Sequence, residues 1–368
     1  MTDNVQSVGL PDERPPANTV GPIAWLRNNL FNTWYNAILT VLVLALLGSA
    51  IPPFVDWLFI NAHGLDASSA VCRKDNSGAC WGFIGEKLRF ILFGTFPYEQ
   101  QWRPLLTIVI FITLLVASCD RRFWKPWLGL VWIAGFLSVA VLMWGGVLGL
   151  TPVENTLWGG LPLTLILSVI GLAVAFPAAI LLALGRRSNM PAVKVLCVTY
   201  IELIRGVPLI SLLFMASVML PLFLPNGVSI DKLLRAQIAF IMFAAAYMAE
   251  AIRGGLQAIP KGQYEAADGL GLSYWQKMLK IILPQALAIA IPPLVNTFIS
   301  FFKDTSLVII IGLYDLLGAG KAALSDPSWR GFYREAYLFV GVIYWIFCFS
   351  MSKYSQKLER DLNRSHRR

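Results

Sequence analysis

The sequence predicts an all-α polytopic membrane protein of about eight transmembrane helices, with both termini on the inner side. Three observations predict it: the composition, the spacing of the charges, and the side on which the basic residues fall. Of 368 residues, 57% are hydrophobic and only 14% are charged, with a mean hydropathy of +0.64. Globular chains carry about 25% charged residues, and a soluble fold of this length needs more polar surface than that to cover its core. The same figures exclude a disordered chain, a coiled coil and a disulfide scaffold.

The elements follow from charge-free stretches, because about 20 apolar residues are needed to cross a bilayer as a helix. Residues 1–25 carry Pro11, Pro15, Pro16 and Pro22 among scattered charges and lack the apolar core of a signal peptide, which reads as a disordered cytoplasmic tail. A first span lies near 33–55, between Arg27 and Asp56. The second is the 16-residue stretch between Arg103 and Asp120, and the third lies between Lys125 and Glu154. Five more follow: Glu154 to Arg186, a span within 194–224, one within 235–252, then 284–303 and 335–352. The predicted organisation is thus a tail (1–25), an extension of three helices (26–150) with an outer loop (61–103), a five-span part (151–355) with a large inner loop (253–283), and a basic tail (356–368).

The formal net charge is +9. Lys and Arg collect in cytoplasmic loops. With the N-terminus inside, 18 of the 30 basic residues fall on the inner side. The short inner loops DRRFWK (120–125) and GRRSNMPAVK (185–194) carry most of the weight. Topology therefore accounts for the positive balance, and no nucleic-acid partner is implied. Cys72 and Cys80 share the outer loop, where an oxidising compartment permits a disulfide; a bond and two free thiols both remain open. No nucleotide-binding G-x-x-x-x-G-K-[ST] loop occurs. The two histidines, His63 and His366, form no metal-ligand spacing and activate no nucleophile within a span. No catalytic residue, metal or cofactor is assigned, which leaves transport or scaffolding.

One inner loop carries a signature. Glu265-Ala266-Ala267 is followed after three residues by Gly271, and after nine more by Ile281, Leu283 and Pro284. This resembles the E-A-A-x3-G-x9-I-x-L-P signature of binding-protein-dependent ABC importer permeases. Residues 265–270 favour helix, and Gly271 permits a turn closed to other residues. Leu272, Trp275, Met278, Leu279 and Ile282 recur at helical spacing, which predicts a second helix packed on the bundle. Pro284 suits the first turn of the next span. The segments ELIRGVPL (202–209), AYMAEAIRGG (246–255) and KDTSL (303–307) resemble stretches of polar amino acid permeases, and the first 150 residues resemble the longer subunits of general L-amino acid uptake systems. The resemblance implies a five-helix type I importer core in the bacterial inner membrane, coupled through its inner loop to ABC ATPase subunits. It also implies a second, non-identical permease subunit, a periplasmic amino acid-binding protein and an L-amino acid substrate. An ion-coupled secondary transporter is the alternative, against which stands the absence of a visible inverted repeat.

Charges at membrane depth are costly and point to function. Glu202 and Arg205 share one helix face at i,i+3 and can pair with each other. Glu250 interrupts the sixth span, and Lys303, Asp304, Thr305 and Ser306 end the seventh. Arg205 or Lys303 suits the carboxylate of an amino acid, and Glu202, Glu250 or Asp304 its ammonium. The same residues equally suit internal salt bridges that hold or gate the helices. Prolines 162, 177, 208, 221, 292 and 293 lie within spans, so the core is expected to be irregular.

Overall fold

The computed structural model describes residues 21–74, 78–225 and 230–366. Residues 1–20 of the expected N-terminal tail, with Arg367 and Arg368, lie outside them. Among the described residues seven helices are long and apolar enough to cross a membrane. An eighth apolar stretch is a pair of helical segments bent by 102°. The chain divides into two units, residues up to 64 with 70–80, and residues 65–69 with everything from 81 onward.

In the first unit, α1 (Pro22–Leu30) opens on a proline, which fits the first helical turn because no N–H is needed there. The expected tail boundary at residue 25 therefore falls inside a helix. α2 (Trp34–Val55) has no buried residue, as befits an apolar helix about 33 Å long that faces lipid. Its end winds into a wider π turn at Asp56–Ile60. The loop beyond is tied back by His63 N–H to Ala79 O (2.8 Å) and Ala79 N–H to Trp57 O (2.7 Å). Cys72, at the end of α3 (Ser69–Cys72), is joined to Cys80 by a disulfide with Cα atoms 5.7 Å apart.

The second unit begins with α4 (Gly82–Phe93), followed by two membrane helices, α5 (Trp102–Cys119) and α6 (Trp127–Trp144). Arg103 joins them from a fully buried position. It donates to Leu142 O (2.6 Å), to Thr151 O (2.9 Å) and to Gln100 Oε1 (2.5 Å). Its charge thus meets the carbonyls that the last turn of α6 leaves without partners. Because α5 and α6 belong to the same unit as the helices that follow them, the boundary expected at residue 150 does not coincide with this division.

The core comes next. α7 (Gly160–Leu165) runs through a π turn into α8 (Gly171–Arg186). α9 (Pro191–Gly206) and α10 (Leu209–Phe214) are the bent pair. The sequence places one span within 194–224, but Pro208 offers no N–H and excludes helical backbone at Val207. Val207 is accordingly extended, at φ −104° and ψ 132°, and the helix breaks there. α11 (Lys232–Ala258) starts at a cap, where the Asp231 carboxylate accepts from the N–H groups of Leu233 and Leu234.

α8 presents Ala175, Ala179 and Ala183 at four-residue spacing, all fully buried, and α11 is dense in buried alanine from Ala236 to Ala249. In a bilayer the hydrophobic effect does not pull helices together, so small side chains that admit close backbone approach do that work. At Gly255 a Cβ would lie 2.2 Å from Ala286 O. The chain continues with α12 (Lys261–Gly269), α13 (Tyr274–Lys277), α14 (Leu283–Asp304), α15 (Leu316–Ala323) and α16 (Tyr333–His366). α16 is unbroken through the boundary expected at 355/356, since Gln, Lys, Leu, Glu and Arg at 356–360 favour helix.

Three backbone segments converge beside α15. Gly159 and Gly160 pair with Tyr314 and Asp315, and α4 crosses them so closely that a Cβ on Gly160 would sit 2.2 Å from Leu92 O. Asp315 is fully buried; it caps α15 through Gly318 N–H (2.9 Å) and accepts from the Tyr344 hydroxyl (2.9 Å). Burial pushes its carboxyl above the usual range against these bonds. Lys87 on α4 binds Asp326 at 2.6 Å.

Two outcomes are expected. Gly160 has a φ of +65°, so Gly160→Ala adds backbone strain to the clash and costs about 2 kcal/mol or more of stability, read as a lower thermal midpoint in detergent. The Lys87–Asp326 pair should shape stability against pH. Hydrogen bonding from Lys87 holds the Asp326 carboxyl below its ordinary 3.8. That contribution is present above 3.8 and lost as pH falls through the lower folded value. Burial works to lower Lys87, yet its bonds to Asp326 and Glu86 hold it above its ordinary 10.5. That contribution is complete below 10.5 and lost as pH rises through the higher folded value. Lys87→Met should flatten the thermal midpoint at both extremes and leave the acid-to-alkaline plateau lower.

Candidate functional site

The inner loop is built as a short helical hairpin. Ile259 leaves α11 in extended backbone, and α12 follows directly. It ends in a turn in which Leu272 N–H bonds Ala267 O (3.2 Å) and Gly271 N–H bonds Asp268 O (2.9 Å), with Gly271 at φ +67°. This paired closure, with a left-handed residue just past the helix, is the motif that selects glycine. The chain restarts at once: Ser273 and Gln276 form a reciprocal capping box at the head of α13. Asp268 and Lys277 form an ion pair across the turn.

Of the signature residues, Ala267 is buried, Glu265 and Ala266 are exposed, and Gly271 lies at the exposed tip beside Leu270. Ile281 is half-buried, Leu283 is buried, and Pro284 lies in the first turn of α14. The expectation that Leu272, Trp275, Met278, Leu279 and Ile282 share one packed face is corrected. Only Met278 and Ile282 are buried; Trp275 and Leu279 are 56% and 62% exposed. A π turn at Met278–Ile282 breaks the 3.6-residue register on which the expectation rested. The loop is also held from outside. Arg187 donates to Leu256 O (2.7 Å) and to the Tyr264 hydroxyl (3.1 Å), and its guanidinium lies 5.6 Å from the Tyr264 ring centroid.

Three of the charges expected along a substrate path gather in one cluster. Glu250 on α11 binds Arg253 through Nε at 2.9 Å and lies 3.3 Å from Arg186 and 3.9 Å from Arg205. Glu202 on α9 takes a bond from Arg186 at 2.8 Å, and Arg205 lies over the Tyr247 ring at 5.4 Å. The i,i+3 pair expected between Glu202 and Arg205 does not form among the described residues; each turns to a different helix. Arg186 and Arg253, which the sequence reading counted only as topology signals, complete the cluster. Three guanidinium groups thus surround two carboxylates, with Glu250 Oε2 left without a hydrogen bond. The arrangement suits holding helices together.

The second group lies apart from this network. No ion pair reaches Lys303 or Asp304 among the described residues, and Lys303 is exposed. Thr305 is buried and donates to Phe302 O (2.8 Å), which starts the tight 3₁₀ turn Thr305–Ile311; Ser306 is half-buried. Two features were missed from sequence. The Asp315–Tyr344 bond spans 29 residues, and the bond from Leu316 N–H to Thr164 Oγ1 spans 152, so neither gives a local motif. Arg187 with Tyr264 gave one faint signal, the doubled arginine at 186–187. Among the described residues no group of three or more His, Cys, Asp or Glu is placed to hold a metal.

Residues 155–364 match the family described as "Binding-protein-dependent transport system inner membrane component". The chain is 50% identical over 352 residues to the inner membrane amino-acid ABC transporter permease protein YhdY of Escherichia coli K12, covering 94% of each chain. It is 40% identical over 431 residues to the glutamate/glutamine/aspartate/asparagine transport system permease protein BztC of Rhodobacter capsulatus, covering 100% of this chain and 99% of that one. The L-cystine transport system permease protein TcyB of Bacillus subtilis is 34% identical over 218 residues, which is 58% of this chain and 90% of that one. The first two relatives thus share the N-terminal helices, and the third matches little more than the core.

The two groups of charges should respond differently to mutation. Glu250→Gln takes the carboxylate partner from Arg205 and Arg253 and leaves Glu202 alone among three arginines, and is expected to cost about 2–3 kcal/mol, seen as a lower thermal midpoint. Lys303→Ala should stay within about 0.5 kcal/mol of the parent.

Proposed function

Because the chain belongs to the family of binding-protein-dependent transport system inner membrane components, we propose that it is the amino acid-translocating permease subunit of an ATP-driven importer whose ATPase docks on the α12 hairpin. It is a multi-pass inner-membrane protein. The observation that carries the docking reading is the hairpin itself: a helix with Glu265, Ala266 and Leu270 exposed, closed by Gly271 and braced from behind by Arg187. An exposed small residue such as Ala266 lets a partner surface come close. The hairpin adjoins Arg186, Arg187, Arg253 and Lys261, which by the positive-inside rule supports a cytoplasmic position for it and for both termini. The bent pair α9–α10 then counts as one crossing.

An L-amino acid substrate follows from the relatives named above, all of them permeases of amino acid systems. A periplasmic binding protein delivers it, and a second, non-identical permease completes the path. ATPase closure then moves the hairpins and drives alternating access. Within this chain Lys303 and Asp304 are the charges left free to meet a zwitterion, a cation for its carboxylate and a carboxylate for its ammonium. Glu202, Arg205 and Glu250 act with Arg186 and Arg253 in holding the helices. The three N-terminal helices form the part outside the minimal core. An ion-coupled secondary transporter leaves the hairpin without a role.

Reconstituted vesicles test the reading. Uptake should require both ATP and the binding protein, and uptake driven by an ion gradient alone would overturn it. Ala266→Trp should fill the contact surface and reduce copurification of the ATPase about tenfold, the effect of losing roughly 1.4 kcal/mol of binding.

A further inference from the structure

We propose that the adjacent arginines Arg186 and Arg187 form a two-armed link that ties the position of the α12 hairpin to the bend between α9 and α10. The inference rests on the reading of α12 as the ATPase-docking element. Arg186 is the last residue of α8 and Arg187 its C-cap, where the helix dipole favours positive charge. Consecutive residues at a helix end point about 100° apart, so the two side chains reach different neighbours.

Arg187 reaches the hairpin. It donates to Leu256 O, in the last turn of α11, where carbonyls lack intrahelical partners. The Tyr264 hydroxyl takes a bond from Arg187 at 3.1 Å and donates to the same carbonyl at 3.2 Å. Three elements meet there: the end of α8, the end of α11 and the middle of α12. Arg186 reaches the other way, to Glu202 on α9 at 2.8 Å and to Glu250 on α11 at 3.3 Å. Glu250 also meets Arg205, the residue before Gly206, where α9 stops. The 102° bend beyond it is a short link of extended backbone at Val207 and Pro208, the kind of element that turns as a hinge. A displacement of α12 is therefore passed through Tyr264 to Arg187, through one peptide bond to Arg186, and through Glu202 and Glu250 to the hinge. Arg186 and Arg187 are positioning residues; neither meets ATP, and neither is free to bind substrate.

The test uses the importer purified with its own ATPase and binding protein, reconstituted and supplied with a labelled mixture of the common L-amino acids. The readout is amino acid taken up per ATP hydrolysed, which a merely structural role would leave alone. Arg187→Ala should lower this ratio about tenfold, the loss of one charge-assisted hydrogen bond, and Tyr264→Phe should lower it in the same direction. Arg187→Lys should recover part of it, because an ammonium can donate to both oxygens but sits on a shorter stem and lacks the planar group that lies near the Tyr264 ring. The double variant Arg187→Ala/Tyr264→Phe should be no worse than Arg187→Ala, since both act through one junction. An unchanged ratio in Arg187→Ala and Tyr264→Phe importers that still copurify with ATPase overturns the link. If Arg187→Ala fails to assemble, Tyr264→Phe, which removes a single oxygen, decides alone. Replacing residues 265–271 separates the two levels. An ATPase that stays bound after the replacement refutes the docking reading. An ATPase that is lost, with the ratio unchanged in the point variants, refutes only the link.

Discussion

The interior of a bilayer offers no water to a buried charge or an unpaired backbone group, and this constraint organises the protein. Polar groups in the core have to find one another, and where they meet the helices are pinned. Arg186, Glu202, Arg205, Glu250 and Arg253 do this across α8, α9 and α11. Arg103 does it for α5 and α6 by taking carbonyls in place of an acid. Asp315 does it for α15 and α16 with a helix cap and a tyrosine hydroxyl. Elsewhere alanine and glycine let the helices close on one another, because apolar side chains gain little by leaving lipid for protein.

Much of the architecture was legible in the sequence because charge is scarce there. Gaps between charges located seven of the crossings to within a few residues at most ends, and the hairpin turn followed from Gly271. The break at Val207–Pro208 was visible as a proline, but its 102° angle depends on neighbours that no local pattern records. The site was less legible. Glu202 and Arg205 have the spacing of an intrahelical pair, yet each is drawn to a partner on another helix, since a distant charge in the same layer competes with the near one. Trp275 and Leu279 were expected to be packed by period, and one π turn moved them outward. The bond between Asp315 and Tyr344 left no trace, because the two lie 29 residues apart.

At the α12 end of the core a capped hairpin stands near an extended break between helices. The hairpin is stiff at both ends, closed by a left-handed glycine and reopened by a capping box. The α9–α10 junction is an extended pair of residues between two helices. Arg186 and Arg187 stand between them at the tip of α8. Such a layout suits a subunit that receives mechanical work from a partner in the cytoplasm and spends it on opening a path through the membrane.

The central claim is that the α12 hairpin is the surface on which the ATPase acts, and cross-linking from that surface tests it most directly. A photoreactive phenylalanine analogue at position 266, in the complete importer in native membranes, is expected to join this chain to the ATPase subunit. The yield should change when ATP is trapped in the closed ATPase. Cross-links to the binding protein, or none to the ATPase in an importer that still transports, would contradict the account.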